Sequence, residues 1–416
     1  MAEPTPAPRR TRHQATPSSE RVLGYCTNVH AGATLEETKA NLDRHATRVR
    51  DLVCRDDEPL PIGLWLSAKA ARSLVDSGQL SRFRDWLDER RLRVFTLNGF
   101  PWGDFHQPVV KHRVYSPRWS DLARLNYTRD LILILSELID HDEEGSISTL
   151  PIGWGKLKDA TDLHAAASLL HDMVKMLAEL EHRQQKLIHL DLEPEPGCLL
   201  QTSEDVVAFL RRYIFSHPDS KLARRHVRIC HDVCHAAVMF EDQRDIFERY
   251  AAINAKIGKV QLSSAVAIDF DALGETDRAA ALEELRHFGE ERYLHQTMIR
   301  SDRGEMTFHE DLPDALAGDA APAGEWRVHF HVPIFCRSLG MLNTTQETLR
   351  TCAELLEKHP DIHHLEVETY AWDVLPEAHR KGELAEDIAR ELAWAAEAFG
   401  TPGSRSQRAA GEDEDD

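Results

Sequence analysis

The sequence predicts an α/β protein built as a (β/α)8 TIM barrel with an insertion near its C-terminal strands, and three observations carry that prediction. Short apolar runs of strand character alternate with longer stretches of helical period. The alternation persists over about 380 residues, whereas a single nucleotide-binding βαβ unit would use about 150 to 200. Neither GxGxxG nor GxxxxGK[ST], the glycine loops that cradle phosphates, occurs in the chain.

Strands are expected at 22–30, 62–67, 94–98, 146–152, 187–193, 227–232, 259–263, 326–332 and 362–369. A helix over 35–54 opens behind Thr34 with Glu37 three residues on, and Thr344 with Glu347 repeats this capping-box spacing before 349–357. Apolar faces at helical spacing run through 121–138, 162–180 and 204–215. Nine strands exceed the eight of a barrel. The unusually long stretch after the seventh run, 265–325, is expected to be an insertion at the barrel mouth. The residues alone leave 326–332 assignable either to the barrel or to that insertion.

Lys and Arg number 50 against 70 Asp and Glu, a net charge of −20, and 42% of residues are hydrophobic, enough for one large core. So acidic a chain is a poor partner for nucleic acid or anionic membrane, both of which need basic surface, and a small molecule or another protein is the expected ligand. The apolar run 131–135 falls far short of the about 20 residues that span a bilayer, so no membrane insertion is expected. Residues 1–20 carry Arg9, Arg10, Arg12 and four prolines without an apolar core, which reads as a disordered tail rather than a secretory signal. Residues 401–416 close on five consecutive acidic residues and read as a second disordered tail, leaving the barrel 21–400. A cytoplasmic location follows as the expectation. Seven cysteines without a CxxC pair are read as reduced thiols.

Strand alternation locates the chemistry, because successive side chains point to opposite faces. In 187–193 Leu190 and Leu192 face the helices while His189, Asp191 and Glu193 face the axis. In 362–369 Leu365 and Val367 oppose Glu366 and Glu368; from Val328, Phe330 and Val332 oppose His329 and His331. Near 227, Val227 and Ile229 oppose Arg228, Cys230 and Asp232. Carboxylates buried together need a neutralising cation. Glu193, Asp232, His235 and Glu368 lie at or just past the C-terminal ends of different strands, where barrel enzymes build their active sites. Oxygen and imidazole donors without thiolate suit Mn²⁺, Mg²⁺, Co²⁺ or Zn²⁺. Gln261 shares a face with Lys259 and Ser263 and is expected to line the pocket, with His331 within reach of the metal and His329 near the substrate. His30, Asn98 and His106 follow early strands and read either as contacts to substrate hydroxyls or as loop hydrogen bonds. The HxH pair also reads as a satisfied pair in a polar core. Cys230, His231 and Cys234 lack the second pair a structural zinc requires.

At these residues the sequence resembles the xylose isomerase-like TIM barrels of the sugar phosphate isomerase/epimerase superfamily. In them a Glu ends one strand, an Asp or Glu followed three residues later by His ends the next, and a final strand supplies another Glu; Glu193, the Asp232/His235 pair and Glu368 match that order. More closely, the chain resembles the EboE family of metabolite traffic proteins. The likeness lies in GYCTNVHAG at 24–32, TLNGFPWGDFH at 96–106, HLDLEPEPG at 189–197, VQLSSA at 260–265, HFHVPIF at 329–335 and LEVETYAWDVLP at 365–376. The resemblance implies a cytoplasmic component of a gene cluster that, with the other proteins of the cluster, moves a cyclitol-like or secondary-metabolite precursor toward the cell envelope. One departure stands out: Gln261 occupies the place where many isomerases of the superfamily have a metal-binding His. Either His331 or His295 then fills that coordination position, or the metal site is incomplete.

The leading functional expectation is a divalent-metal-dependent barrel acting on a polyhydroxylated small molecule by isomerisation or epimerisation. Glu193 and Glu368 would serve in acid/base or ligand roles, with Asp232, His235 and His331 as ligands. The alternative is a protein that binds and hands over the metabolite without transforming it. An endonuclease of the superfamily is disfavoured by the charge of −20.

Overall fold

The computed structural model describes residues 21–401 except 56, 156–160, 319–320 and 381. The expected tails 1–20 and 401–416 lie outside the described residues except for Thr401. Seven strands alternate with helices: β1 (Val22–Cys26), β2 (Leu60–Trp65), β3 (Leu92–Asn98), β4 (Glu144–Thr149), β5 (Leu187–Leu192), β6 (Val227–Asp232) and β7 (Ile257–Leu262). Six strands then form a separate sheet: β8 (Ser264–Asp269), β9 (Thr297–Arg300), β10 (Met306–His309), β11 (Glu325–Val332), β12 (Ser338–Leu339) and β13 (Leu342–Thr344). The chain returns in β14 (His364–Val367), which pairs in parallel with both β7 and β1 and closes an eight-stranded barrel.

The period of two explains the barrel's layers. Leu190, Leu192, Ile229, Val260, Leu262 and Leu365 are fully buried on the outside of the strands beneath the helices, an apolar ring of the usual kind. The inward set is equally buried but polar: His189, Asp191, Lys259, Gln261 and Glu366. It is held by internal pairing. Lys259 Nζ donates to Glu366 Oε2 at 2.7 Å and to Ser148 Oγ at 3.1 Å. At the N-terminal end, His189 lies between Asp191 (2.5 Å) and Glu144 (3.1 Å), and Arg228 reaches Glu144 at 2.6 Å. Gly63 on β2 makes room for this layer, since a Cβ there would lie 1.4 Å from Glu366 Oε1.

The expected strand at 326–332, the one in excess of eight, belongs to the insertion. β8 starts one residue after β7, and β11 runs antiparallel to β8 with Val328 opposite Val266 and Val332 opposite Ser264. The second sheet, ordered β10-β9-β11-β8-β13-β12, continues to Thr344 and so extends past residue 325. Its position is set by direct continuity with a barrel strand.

Two local expectations need comment. The Thr34/Glu37 box forms, with Glu37 N–H donating to Thr34 Oγ1 at 3.2 Å and Thr34 N–H to Glu37 Oε2 at 2.9 Å. The Thr344/Glu347 box does not: Thr344 ends β13 and its hydroxyl donates to Cys336 O at 2.6 Å, so helix Gln346–Leu356 starts behind Thr345 without a side-chain cap. The helices expected at 35–54 and 204–215 are each interrupted or ended by a wider turn, Leu42–Ala46 and Leu210–Ile214, while Leu122–Leu138 and Thr161–Gln184 are continuous. None of the seven cysteines, all among the described residues, is in a disulfide. Among the described residues no helix is long and apolar enough to cross a membrane.

Candidate metal centre

Three carboxylates meet at the C-terminal end of the barrel. Glu193 follows β5, Asp232 ends β6 and Glu368 follows β14; one oxygen of each lies within 4.8 Å of the others, and all three side chains are buried. Asp232 Oδ1 caps helix Val233–Val238 by accepting the His235 N–H at 2.8 Å, and it also accepts the Ser263 hydroxyl at 2.8 Å. Glu368 Oε1 accepts the amides of Asn28 and Asn98, each at 2.8 Å, and its Oε2 accepts Gln261 Nε2. Glu193 Oε2 and Asp232 Oδ2 are buried with no hydrogen-bond partner among the described residues.

Electrostatics follow from that crowding. Burial first, then the charges of Glu368 and Asp232, push the Glu193 carboxyl well above the ordinary carboxylate range. Burial, Asp232 and Glu366 do the same to Glu368. Burial also acts to raise Asp232, but His235, His331 and the donors on its Oδ1 outweigh it and hold Asp232 below its ordinary value. Asp232 is thus the carboxylate that keeps its charge, and its neighbours carry the strain of proximity.

Three histidines lie beside this triad. His235 Nδ1 donates to Pro194 O at 2.9 Å, His331 Nδ1 to Glu368 O at 2.7 Å, and His329 Nδ1 to Gln296 Oε1 at 2.8 Å. The Gln296 amide is oriented by its Nε2, which donates to Glu195 Oε1 at 2.9 Å and Pro196 O at 3.2 Å. Because every Nδ1 faces an acceptor, each Nδ1 carries the proton and each Nε2 presents a lone pair. His329 Nε2 is 3.2 Å from that of His235 and 3.1 Å from that of His331. Burial lowers His331 to about 4 and His329 well below the ordinary imidazole value. Asp232, His235 and His331 form one group with ligand atoms within 4.8 Å, and Glu195, His235 and His329 form another. The orphaned oxygens and this oxygen–imidazole donor set fit a divalent cation.

A cavity of about 50 Å³ opens above these residues. Asn28, Asn98, Glu193, Glu195, Glu368 and the three histidines line its base, and its walls are mainly aromatic and aliphatic. Gln261 is not among the lining residues; it lies between Glu368 and Cys230, whose thiol donates to Gln261 Oε1 at 2.7 Å. His30 and His106 also stand back from the cavity. His30 bonds the Tyr25 hydroxyl at 3.0 Å and stacks on His45 at 4.8 Å, while His106 Nε2 donates to Asn28 O at 2.6 Å. His295 is engaged at both nitrogens, with His329 O at 3.1 Å and Glu290 at 2.9 Å, so of the two replacements for the histidine absent at 261 only His331 joins a ligand group among the described residues.

Several site residues carry no clear signal in the sequence. Asn28 sits in a short 3-10 turn after β1, and Gln296 belongs to the insertion. Glu195, two residues beyond Glu193, accepts the Tyr115 hydroxyl at 2.6 Å, and the strand alternation that exposes Glu193 ends before it.

A scan against protein-family models finds no match, and no curated protein is similar to the chain in sequence. Solved structures with similar folds are xylose isomerase-like TIM barrels and related proteins. One is such a barrel from Mycobacterium smegmatis in complex with magnesium, 10% identical over 93% of this chain and 98% of that one, with a TM-score of 0.49. Another is the probable 3-DHS dehydratase AsbF of Bacillus anthracis, 13% identical over 89% and 97%, TM-score 0.44. A third is the IOLI protein with a bound zinc atom, 10% identical over 91% and 98%, TM-score 0.42. At such identities the similarity concerns the fold alone, and the EboE resemblance gains no support from it.

Proposed function

We propose that the chain binds a divalent cation on Glu193, Asp232 and Glu368, completed by His235 or His331, and acts on a polyhydroxylated small metabolite by isomerase- or epimerase-like proton transfer. One observation carries this reading: three buried carboxylates converge from different strands with two oxygens left unpartnered. A cation bound there supplies Lewis-acid stabilisation of negative charge on neighbouring substrate oxygens. The protein's own groups divide the remaining work. Glu368, fixed by three amide donors, positions; Glu193, with Oε2 unbonded, serves through that atom either as a ligand or, with the cation held by Asp232 and Glu368, as the group that accepts and returns a proton. The motifs shared with the EboE family add a setting, a cytoplasmic metabolite-traffic pathway with partner proteins. Binding and hand-over without turnover is the second reading, supported by Gln261, an amide that holds Glu368 where a ligand histidine is expected.

The test is elemental analysis of the purified full chain with mass spectrometry of what co-purifies, followed by incubation of the metal-loaded protein with polyols. About one tightly held divalent ion per chain and an altered polyol are expected. An unaltered but bound polyol favours hand-over, and a chain that takes up neither Mn²⁺, Mg²⁺, Co²⁺ nor Zn²⁺ overturns the metal centre.

A further inference from the structure

Helix Leu384–Phe399 buries an apolar stripe, with Ile388, Leu392, Ala395 and Phe399 at helical spacing. Glu391 lies within that stripe and is 1% exposed. A carboxylate in such a place costs free energy unless donors meet it. Three do. Oε1 accepts the Thr369 hydroxyl at 2.6 Å and the Ile334 N–H at 3.2 Å, and Oε2 accepts the Trp372 indole N–H at 3.3 Å.

These donors belong to two segments that no strand pairing joins among the described residues. Thr369 follows Glu368 directly and precedes the turn Tyr370–Asp373 after β14, a strand whose neighbours are β7 and β1. Ile334 stands three residues past His331, just beyond β11, whose neighbours are β9 and β8. Side chains therefore hold one segment to the other. His331 Nδ1 donates to Glu368 O at 2.7 Å, and the Tyr370 ring lies 4.6 Å from that of His331. Glu391 ties the chain just beyond both groups, and Ile334 is fixed on its other side by Gln346 Nε2, which donates to its carbonyl at 2.9 Å.

Resting on the metal-centre reading for its consequence, we infer that Glu391 is a positioning residue. It fastens the insertion strand carrying His331 to the barrel turn that follows Glu368, and so sets the spacing of these two groups. A carboxylate suits the task because it only accepts and offers two oxygens, whereas glutamine keeps one acceptor oxygen and leucine none.

The experiment compares the full-length chain with Glu391→Leu, Glu391→Gln and Thr369→Val at about pH 8, above the value of about 7 to which burial raises the Glu391 carboxyl. Thr369→Val removes one hydroxyl and guards against a Glu391→Leu chain that fails to fold. Titration followed by the electron paramagnetic resonance of free Mn²⁺ should show binding weakened about tenfold in Glu391→Leu and Thr369→Val, the lower end of what outer partners contribute to metal affinity. Glu391→Gln, which keeps an oxygen for Thr369 and Ile334, should stay close to wild type. A second readout needs no metal: with chelator and ¹⁵N-labelled histidine, the Nδ1–H signal of His331, assigned by its loss in His331→Gln, should exchange faster with water in Glu391→Leu and Thr369→Val. A lowered melting temperature with neither of these changes shows a merely structural role and overturns the inference, as does a Glu391→Gln chain as impaired as Glu391→Leu. A wild-type chain that takes up no Mn²⁺, yet whose His331 signal exchanges faster in the variants, sinks the metal centre and sustains the positioning role.

Discussion

His329 and His331 stand two residues apart on β11 and bring their Nε2 atoms to 3.1 Å of each other. Alternation puts both on one face of the strand, and acceptors at both Nδ1 atoms leave the facing nitrogens without a hydrogen between them when the rings are neutral. A cation beside them would relieve this apposition, and the same would hold for the orphaned oxygens of Glu193 and Asp232.

Asp232→Asn should therefore abolish metal-dependent stabilisation while leaving the fold. The amide keeps the shape but removes the charge. A ligand at a hundred times its Kd stabilises the folded state by about 2.7 kcal/mol, and that gain should vanish in the variant. With chelator the variant should melt above wild type, because repulsion on Glu193 and Glu368 is reduced. Thermal melts with chelator and with added Mn²⁺ decide it, and equal metal responses in both proteins would refute the site.

Gln296→Leu should weaken metal binding without removing any ligand if His329, which groups with Glu195 and His235, shares in holding the cation. It deprives His329 Nδ1 of its acceptor and Glu195 of a donor, so the ring loses the bond that sets its tautomer. Outer partners of this kind are worth roughly 10- to 100-fold in metal affinity. Competition with a fluorescent chelator measures the effect; unchanged affinity would place His329 outside the metal's surroundings.

Glu391 should make stability depend on pH. It is buried on helix Leu384–Phe399, where it accepts the Thr369 hydroxyl at 2.6 Å, the Ile334 amide at 3.2 Å and the Trp372 indole at 3.3 Å. Burial wins over these donors and raises its carboxyl from 4.5 to about 7. A folded value above the unfolded one means a contribution fully present below the ordinary carboxylate range and lost as pH rises through about 7. The shift corresponds to about 3 kcal/mol at most. Melting temperature should fall between about pH 5 and 8, and Glu391→Gln should flatten that part of the profile; an unchanged slope assigns it elsewhere.

Lys259→Met should be severely destabilising. It leaves Glu366 charged inside the barrel, with Oε1 already unpartnered, and losing one member of a buried pair costs about 3 to 5 kcal/mol. Adding Glu366→Gln should recover much of the loss. Urea denaturation of the single and double variants provides the measure, and additive losses would show that the two groups act independently.

The positions of Glu193, Asp232 and Glu368 were legible because strand alternation is a local pattern and each lies at the end of a strand whose outward residues are plainly aliphatic. Asn28 and Gln296 were not, since an amide in a turn or an insertion has no periodicity to mark it. Gln261 was placed on the correct inward face, but its depth was hidden: whether an inward residue meets the cavity or the layer below depends on the stagger of neighbouring strands. The Thr344/Glu347 spacing had the form of a cap, yet pairing of β13 with β8 claimed Thr344 for the sheet.

By itself, then, the sequence determined the strand and helix alternation, the polar inner faces and the acidic character of the site, all properties of residues close together in the chain. Only the tertiary structure decided that the strand at 326–332 leaves the barrel and brings His329 and His331 to the carboxylates. That placement depends on β11 pairing with β8 across the insertion, and on β8 continuing directly from β7. Such a register is set by long-range hydrogen bonds and burial, which no short window of residues contains.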